Sequence, residues 1–322
     1  MKNMMRSLLV LVVLAAGSIA QAADPQPAFR AVDCEGTYSH HLQGVCTDEK
    51  ESIFWCFTTK LVKTDRSGQV VKQIDVGDHH GDLCFHDGQV YVAVNFGKFN
   101  DAEGNADSWV YVYDAGDLAL LAKHNTPEVI YGAGGIAYHD GRFVVVGGLP
   151  ENFKGNNAYE YNAEFKFVKL HRLKSLATLM GIQTAAFADG HWWFGCYGDP
   201  KILLKEDESF SETGRRFEFD CSLGIVPIGG GKFLVARGTS SKEKGYTGRL
   251  VLAEVDEQQG LRLIEPKQGS VCPGGVVVGH EGHQMGCCRI DNKKDRFGGS
   301  QGESLDRFPK TTAVSPKWPH RK

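Results

Sequence analysis

Thr184-Ala185-Ala186-Phe187-Ala188-Asp189-Gly190, followed by Trp192 to Cys196, reads as two apolar strands joined by an Asp-Gly turn. Such a turn needs positive φ angles, which glycine tolerates, so Asp-Gly between apolar runs is a strong hairpin signal. The same pattern stands elsewhere in the chain. Asp82-Leu83-Cys84-Phe85-His86-Asp87-Gly88 precedes Val90 to Val94, and Gly135-Ile136-Ala137-Tyr138-His139-Asp140-Gly141 precedes Phe143 to Val146. Gly224-Ile225-Val226-Pro227-Ile228-Gly229-Gly230-Gly231 precedes Phe233 to Ala236. These are copies of one hairpin.

A further copy with a less regular turn runs from Gly44-Val45-Cys46 through Asp48 to Ile53-Phe54-Trp55-Cys56, and Gly275 to Ile290 offers a sixth. One position of the first strand is small in copy after copy: Cys46, Cys84, Ala137, Ala186, Val226 and Val277. Crowding around a central axis would demand that. Each hairpin leads into further strand candidates, such as Lys60-Lys63 with Val70-Ile74, Trp109-Tyr113 with Leu118-Lys123, Phe165-Val168, and Arg249-Leu252 with Leu261-Ile264. A unit therefore holds four strands over roughly 40 to 50 residues, the period of a propeller blade. The expected fold is an all-β propeller of four-stranded antiparallel blades, which leaves only short, protected sheet edges. Counting the sixth hairpin favours six blades, with five as the alternative; a two-sheet sandwich is the competing architecture. The segment Ala28 to Val32 is available to close the ring by pairing with the last blade.

The N-terminus carries Lys2 and Arg6, an apolar run from Leu8 to Ala16, and then Ala20-Gln21-Ala22. That is the layout of a secretory signal peptide, with an apolar run too short to span a bilayer. Residues 1–22 are read as the signal, 23–290 as one propeller domain, and 291–322 as a tail, partly unstructured or supplying a closing strand. The expected location is secreted or periplasmic, with no transmembrane segment in the mature chain. A net charge of −3 gives no electrostatic footprint for nucleic acid. Of nine cysteines, Cys46, Cys56, Cys84 and Cys196 lie inside apolar strands and read as small core residues. Cys34, Cys221, Cys272, Cys287 and Cys288 lie near segment ends, so any disulfides are expected among them.

A propeller gives the remaining residues positions. Segments that lead into inner strands and loops that follow second strands share one face at the channel mouth. His40-His41-Leu42-Gln43 and His79-His80-Gly81-Asp82 thereby bring paired histidines together. Histidine binds divalent ions as neutral imidazole and titrates near neutral pH. His41, His80 and Asp82 are the expected catalytic and metal-holding residues, for one divalent ion of the zinc, manganese or iron type. His40, Gln43, His79 and Gln183 are expected to bind ligand, with Asn95, Glu151, Asn152 and Arg237 at the rim. Weaker signals are read as structural. The oxygen-rich Asn100 to Asp107 lacks EF-hand spacing, and His280-Glu281-Gly282-His283 has its histidines three apart on a turn. Trp192 and Trp193 alternate across a strand, so one is expected between blades and the other toward solvent.

The repeated Asp87-Gly88, Asp140-Gly141 and Asp189-Gly190 after small apolar strands give the chain a resemblance to secreted and periplasmic propellers. In architecture it is similar to six-bladed lactonase-like and other hydrolytic propellers, which use a metal at the top of the channel. The resemblance implies a metal-assisted hydrolase of a small ester, lactone or glycan-derived substrate. Paired histidines and Gln43 stand where the acidic and asparagine ligands of those families would be sought. The alternative is a non-catalytic module that binds a small-molecule or glycan-derived ligand, or a protein.

Overall fold

The computed structural model describes residues 31–241 and 244–264. These form five antiparallel sheets. Blade I comprises Gly44–Thr47, Ser52–Cys56, Lys60–Asp65 and Val70–Asp75; blade II comprises His80–His86, Gln89–Asn95, Ser108–Asp114 and Leu120–Asn125. Blade III is Ala133–His139, Arg142–Gly147, Gly155–Asn162 and Phe167–Leu176, and blade IV is Leu179–Ala188, His191–Tyr197, Ile202–Asp207 and Arg215–Glu218. Blade V has Ile225–Pro227, Lys232–Ser241 and Gly245–Asp256, and its outer edge comes from two places. Gly260–Leu263 pairs with one end of Gly245–Asp256, while Val32–Asp33 pairs with its middle at Leu250 and Arg249. The N-terminal part of the described chain thus closes the last blade, as the position of Val32 suggested.

Five blades close the ring, so the count differs from the favoured six. The apolar core is divided into five clusters, one in each gap between neighbouring blades. The deciding cluster joins Val45, Trp55 and Val62 of blade I to Val226, Leu234 and Ala236 of blade V. No gap is left there for a further blade. The sixth hairpin expected over 275–290 lies outside the described residues, as do residues 1–30 and the tail.

The turn chemistry holds in detail. Asp87-Gly88, Asp140-Gly141 and Asp189-Gly190 all have positive φ at both residues, the type I′ geometry whose twist matches that of the strands. The second strand of blade IV, His191–Tyr197, packs against blade III on one face and blade V on the other, so both of its faces are buried. This explains why Trp192 and Trp193 are both inaccessible: Trp192 packs in the gap between blades III and IV, Trp193 between IV and V. The expectation of one solvent-facing tryptophan fails because the second strand of blade IV is enclosed between its two neighbouring blades and has no solvent face. A buried aromatic of this kind withdraws about 150–250 Å² from water, a gross gain of roughly 4–6 kcal/mol at about 25 cal/mol per Å². Cys34 and Cys221 are buried free thiols rather than disulfide partners. Cys272, Cys287 and Cys288 lie outside the described residues.

Candidate functional site at the axial mouth

The inner strands align residue by residue. The position before the apolar pair is occupied by Gly44, Asp82, Gly135, Thr184 and Gly224 in blades I to V. Only blade II has an ionisable side chain there. Asp82 is buried, and its Oδ2 accepts the backbone N–H of Ala185 at 2.9 Å. The backbone N–H groups of Val45, Leu83 and Ile136 also face this carboxyl group and favour its charged form. Four blades therefore point main-chain donors at one side chain on the axis. A Cβ on Gly44 would lie 2.3 Å from Asp82 Oδ1, so the glycine makes room for the carboxyl group. Burial pushes the Asp82 pKa above the ordinary carboxylate range, against the four N–H donors that pull it down.

His80 is also internal. It is fully buried, its Nδ1 lies 2.7 Å from the Gly77 carbonyl and its Nε2 2.8 Å from the Tyr113 hydroxyl. A neutral ring satisfies both: Nδ1–H donates to Gly77, and Nε2 accepts from Tyr113. Burial, against the hydrogen bond to Gly77, lowers its pKa to about 4.

The bulges explain what reaches the mouth instead. Register shifts at His80/Leu83, Ala133/Gly135 and Ile182/Thr184 interrupt the first strands of blades II, III and IV at one place. A bulge inserts an extra residue and re-aims its neighbours. At that level a pit of about 180 Å³ opens on the axis, lined by His41, Gln43, His79 and Gln183 together with Phe99 and Met180. Gln43 Nε2 donates to His41 Nε2 at 2.9 Å and to Thr58 Oγ1 at 3.2 Å, while Gln183 Nε2 donates to the Met180 carbonyl at 3.0 Å. His79 meets the edge of Phe99 at 5.1 Å between centroids. Burial lowers the pKa of both His41 and His79, with neighbouring histidines adding to the effect and the Asp78 carboxyl group, 3.5 Å from His79 Nδ1, opposing it at His79. The mouth thus presents neutral imidazoles and amides, with no Asp, Glu, Lys or Arg among its lining residues.

The expected ligand-binding residues divide accordingly. His41, Gln43, His79 and Gln183 converge; His80 and Asp82 do not share the mouth with them, so the expected catalytic and metal-holding trio of His41, His80 and Asp82 is not assembled there. Among the described residues, no group of three or more His, Cys, Asp or Glu side chains is placed to hold a metal ion. His40 is exposed beside Thr59 Oγ1 at 3.0 Å. Asn95 is buried in its own loop, accepting from the N–H groups of Gly97 and Asp107. Arg237 donates to the Asp220 carbonyl and lies over Phe219. Glu151 and Asn152 line an open groove of about 850 Å³ that shares Asn100 and Met180 with the pit. The sequence places the segment Met180 to Gln183 at the mouth but singles out only Gln183 in it, and gives no signal for Phe99. Met180, with φ of 56° at the start of a strand, carried no local signal.

Four four-stranded blades and a fifth whose outer edge is shared by two segments, around one closed axis, define a β-propeller. Solved structures similar to the chain include that of U3-55K, with 10% identity over 76% of this chain and 72% of that one and a TM-score of 0.44. The WD40 β-propeller domain of Doa1 is 16% identical over 70% of this chain and 69% of that one, with a TM-score of 0.41. A protein of unknown function from Bacteroides caccae is 14% identical over 66% and 77% of the two chains, with a TM-score of 0.42. No protein-family model and no curated protein matches the sequence.

Proposed function

We propose that this protein is an exported, non-catalytic binding module that takes a peptide segment of a protein partner across the mouth and the adjoining groove. The observation that carries the reading is the internal commitment of His80 and Asp82. Metal-assisted hydrolysis would need ligands with free lone pairs at the mouth, whereas the polar atoms of both residues are engaged inside the fold. What faces outward is suited to recognition. The pit of about 180 Å³ is smaller than the roughly 300 Å³ at which small-molecule pockets begin, and has room for one side chain. The groove beside it is bordered by exposed apolar residues, Leu176 at 70%, Leu179 at 58% and Met180 at 42% accessibility. A contiguous exposed apolar surface next to fixed amides favours a partner with an apolar run and one hydrogen-bonding side chain.

A random-heptapeptide display library selected on the immobilised mature protein tests this. Enriched peptides should bind wild type and lose at least tenfold in affinity to Gln183→Ala and Met180→Asp, with circular dichroism unchanged. A library that yields no binder, or binders indifferent to both substitutions, would overturn the reading. Export has its own test: protein recovered from outside the cytoplasm of producing cells should have the intact mass expected for cleavage after Ala22, and retention at full length would contradict it.

A further inference from the structure

Asp82 divides the axial space in two, and the second chamber has a chemistry of its own. It lies at the opposite ends of the inner strands from the mouth, has a volume of about 450 Å³, and receives residues from all five blades. That volume falls within the range of about 300–1,000 Å³ typical of small-molecule sites. Its walls are the small apolar positions, among them Cys46, Cys84, Ala137 and Ala186. Three successive blades place an aromatic ring at the equivalent lower position: Phe85, Tyr138 and Phe187, each half-buried and lining the chamber. The rings are held by their neighbours. His86 stacks on Tyr138 at 3.6 Å between centroids, and His139 stacks on Phe187 at 3.4 Å.

We infer that this lower chamber binds a small uncharged ligand carrying a flat apolar ring. Pre-positioned aromatic faces give such a ring stacking partners without ordering flexible side chains. A charge deep in the chamber would find no free counter-group. The charged residues that line it, Asp48, Glu49, Lys50 and Asp87, stand at the turn-side rim, where Glu49, Lys50 and Asp87 are exposed to water and Asp48 accepts the N–H groups of Lys50, Glu51 and Ser52. The Asp82 carboxyl group beyond the deep lining is already surrounded by backbone N–H groups. The inference is independent of what the mouth binds, because the two spaces share no lining residue.

The test titrates mature protein with the neutral fluorophore N-phenyl-1-naphthylamine. Saturable one-to-one enhancement is expected, weakened at least fivefold by Tyr138→Ser and abolished by Ala186→Phe, which fills the chamber. A second measurement does not depend on the fold of any variant. Saturating fluorophore should slow alkylation of Cys84 in wild type by N-ethylmaleimide at least fivefold, followed by peptide mapping. Absence of saturable binding to folded wild type, an undiminished alkylation rate at Cys84, or loss of binding with Leu179→Asp while folded Tyr138→Ser binds normally would overturn the inference.

Discussion

Acidification should destabilise this propeller through one buried histidine. His80 is held neutral by geometry: its Nδ1–H is spent on the Gly77 carbonyl and its Nε2 faces the Tyr113 hydroxyl, in a fully buried site. The unfolded chain protonates this ring near pH 6.5, the folded chain only near pH 4. Because the folded pKa is depressed, the unfolded state binds more protons between those values. The stability is therefore fully present above pH 6.5 and is lost as pH falls toward 4. At about 1.4 kcal/mol per pKa unit the loss amounts to roughly 3 kcal/mol. For a domain of this size that corresponds to a fall in Tm of about 6–12 °C. His41 and His79 shift in the same direction, so the readout is a difference. Urea denaturation of wild type and His80→Gln, followed by tryptophan fluorescence from pH 7.5 to 4.5, should show a shallower pH dependence for the variant, whatever its offset at pH 7.5. Parallel curves, with the two slopes agreeing to within about 0.5 kcal/mol over the range, would refute the assignment of His80 as a neutral internal residue.

Asp82→Ala should cost about 3–6 kcal/mol, since several buried N–H donors lose their acceptor at roughly 1–3 kcal/mol each, relieved in part by entering water; a chemical-denaturation loss below about 1 kcal/mol would count against its axial role. Gly44→Ala places a Cβ 2.3 Å from Asp82 Oδ1 and 2.4 Å from its Cα, and should lower Tm far more than Gly190→Ala, where a Cβ would meet nothing within 4 Å and only the φ of +73° opposes it. That second change is expected to cost about 1–2 kcal/mol. Peptide-mapped alkylation of native protein should label Cys84 ahead of Cys34, Cys46, Cys56, Cys196 and Cys221, because Cys84 is partly accessible and the other five are buried; burial raises the thiol pKa of Cys84 as well as theirs, so the difference rests on access. Equal labelling of all six would show that the blades open readily.

The parts of the fold written in local chemistry were legible from the sequence. Asp-Gly turns at 87–88, 140–141 and 189–190 depend on φ alone, and the small inner position at Cys46, Cys84, Ala137 and Ala186 follows from crowding at the axis. The third strands of blades III and IV, Gly155–Asn162 and Ile202–Asp207, carry no clear local signal, because burial on both faces removes the alternation that marks a half-exposed strand. Blade number is a property of closure. It is decided by contacts such as those of Val45 and Trp55 with Val226 and Leu234, which no local pattern records. At the mouth, the convergence of His41, Gln43, His79 and Gln183 on one pit follows from their places at the entry to the inner strands. His80 and Asp82 were misplaced by the same logic, since simple alternation cannot anticipate a bulge between His80 and Leu83 that turns one inward to Tyr113 and the other onto the axis.

The division of the axis by Asp82 underlies the blade register, the non-catalytic reading of the mouth and the separate lower chamber. Residue-resolved amide hydrogen exchange tests it most directly. The N–H groups of Val45, Leu83, Ile136 and Ala185 should exchange only through global unfolding, with opening free energies within about 1 kcal/mol of the whole domain's stability. In Asp82→Ala these four amides should open locally ahead of the rest. Fast exchange at any of them in the wild-type protein, at rates typical of exposed loops, would mean that water reaches the axis and that no carboxyl group closes it.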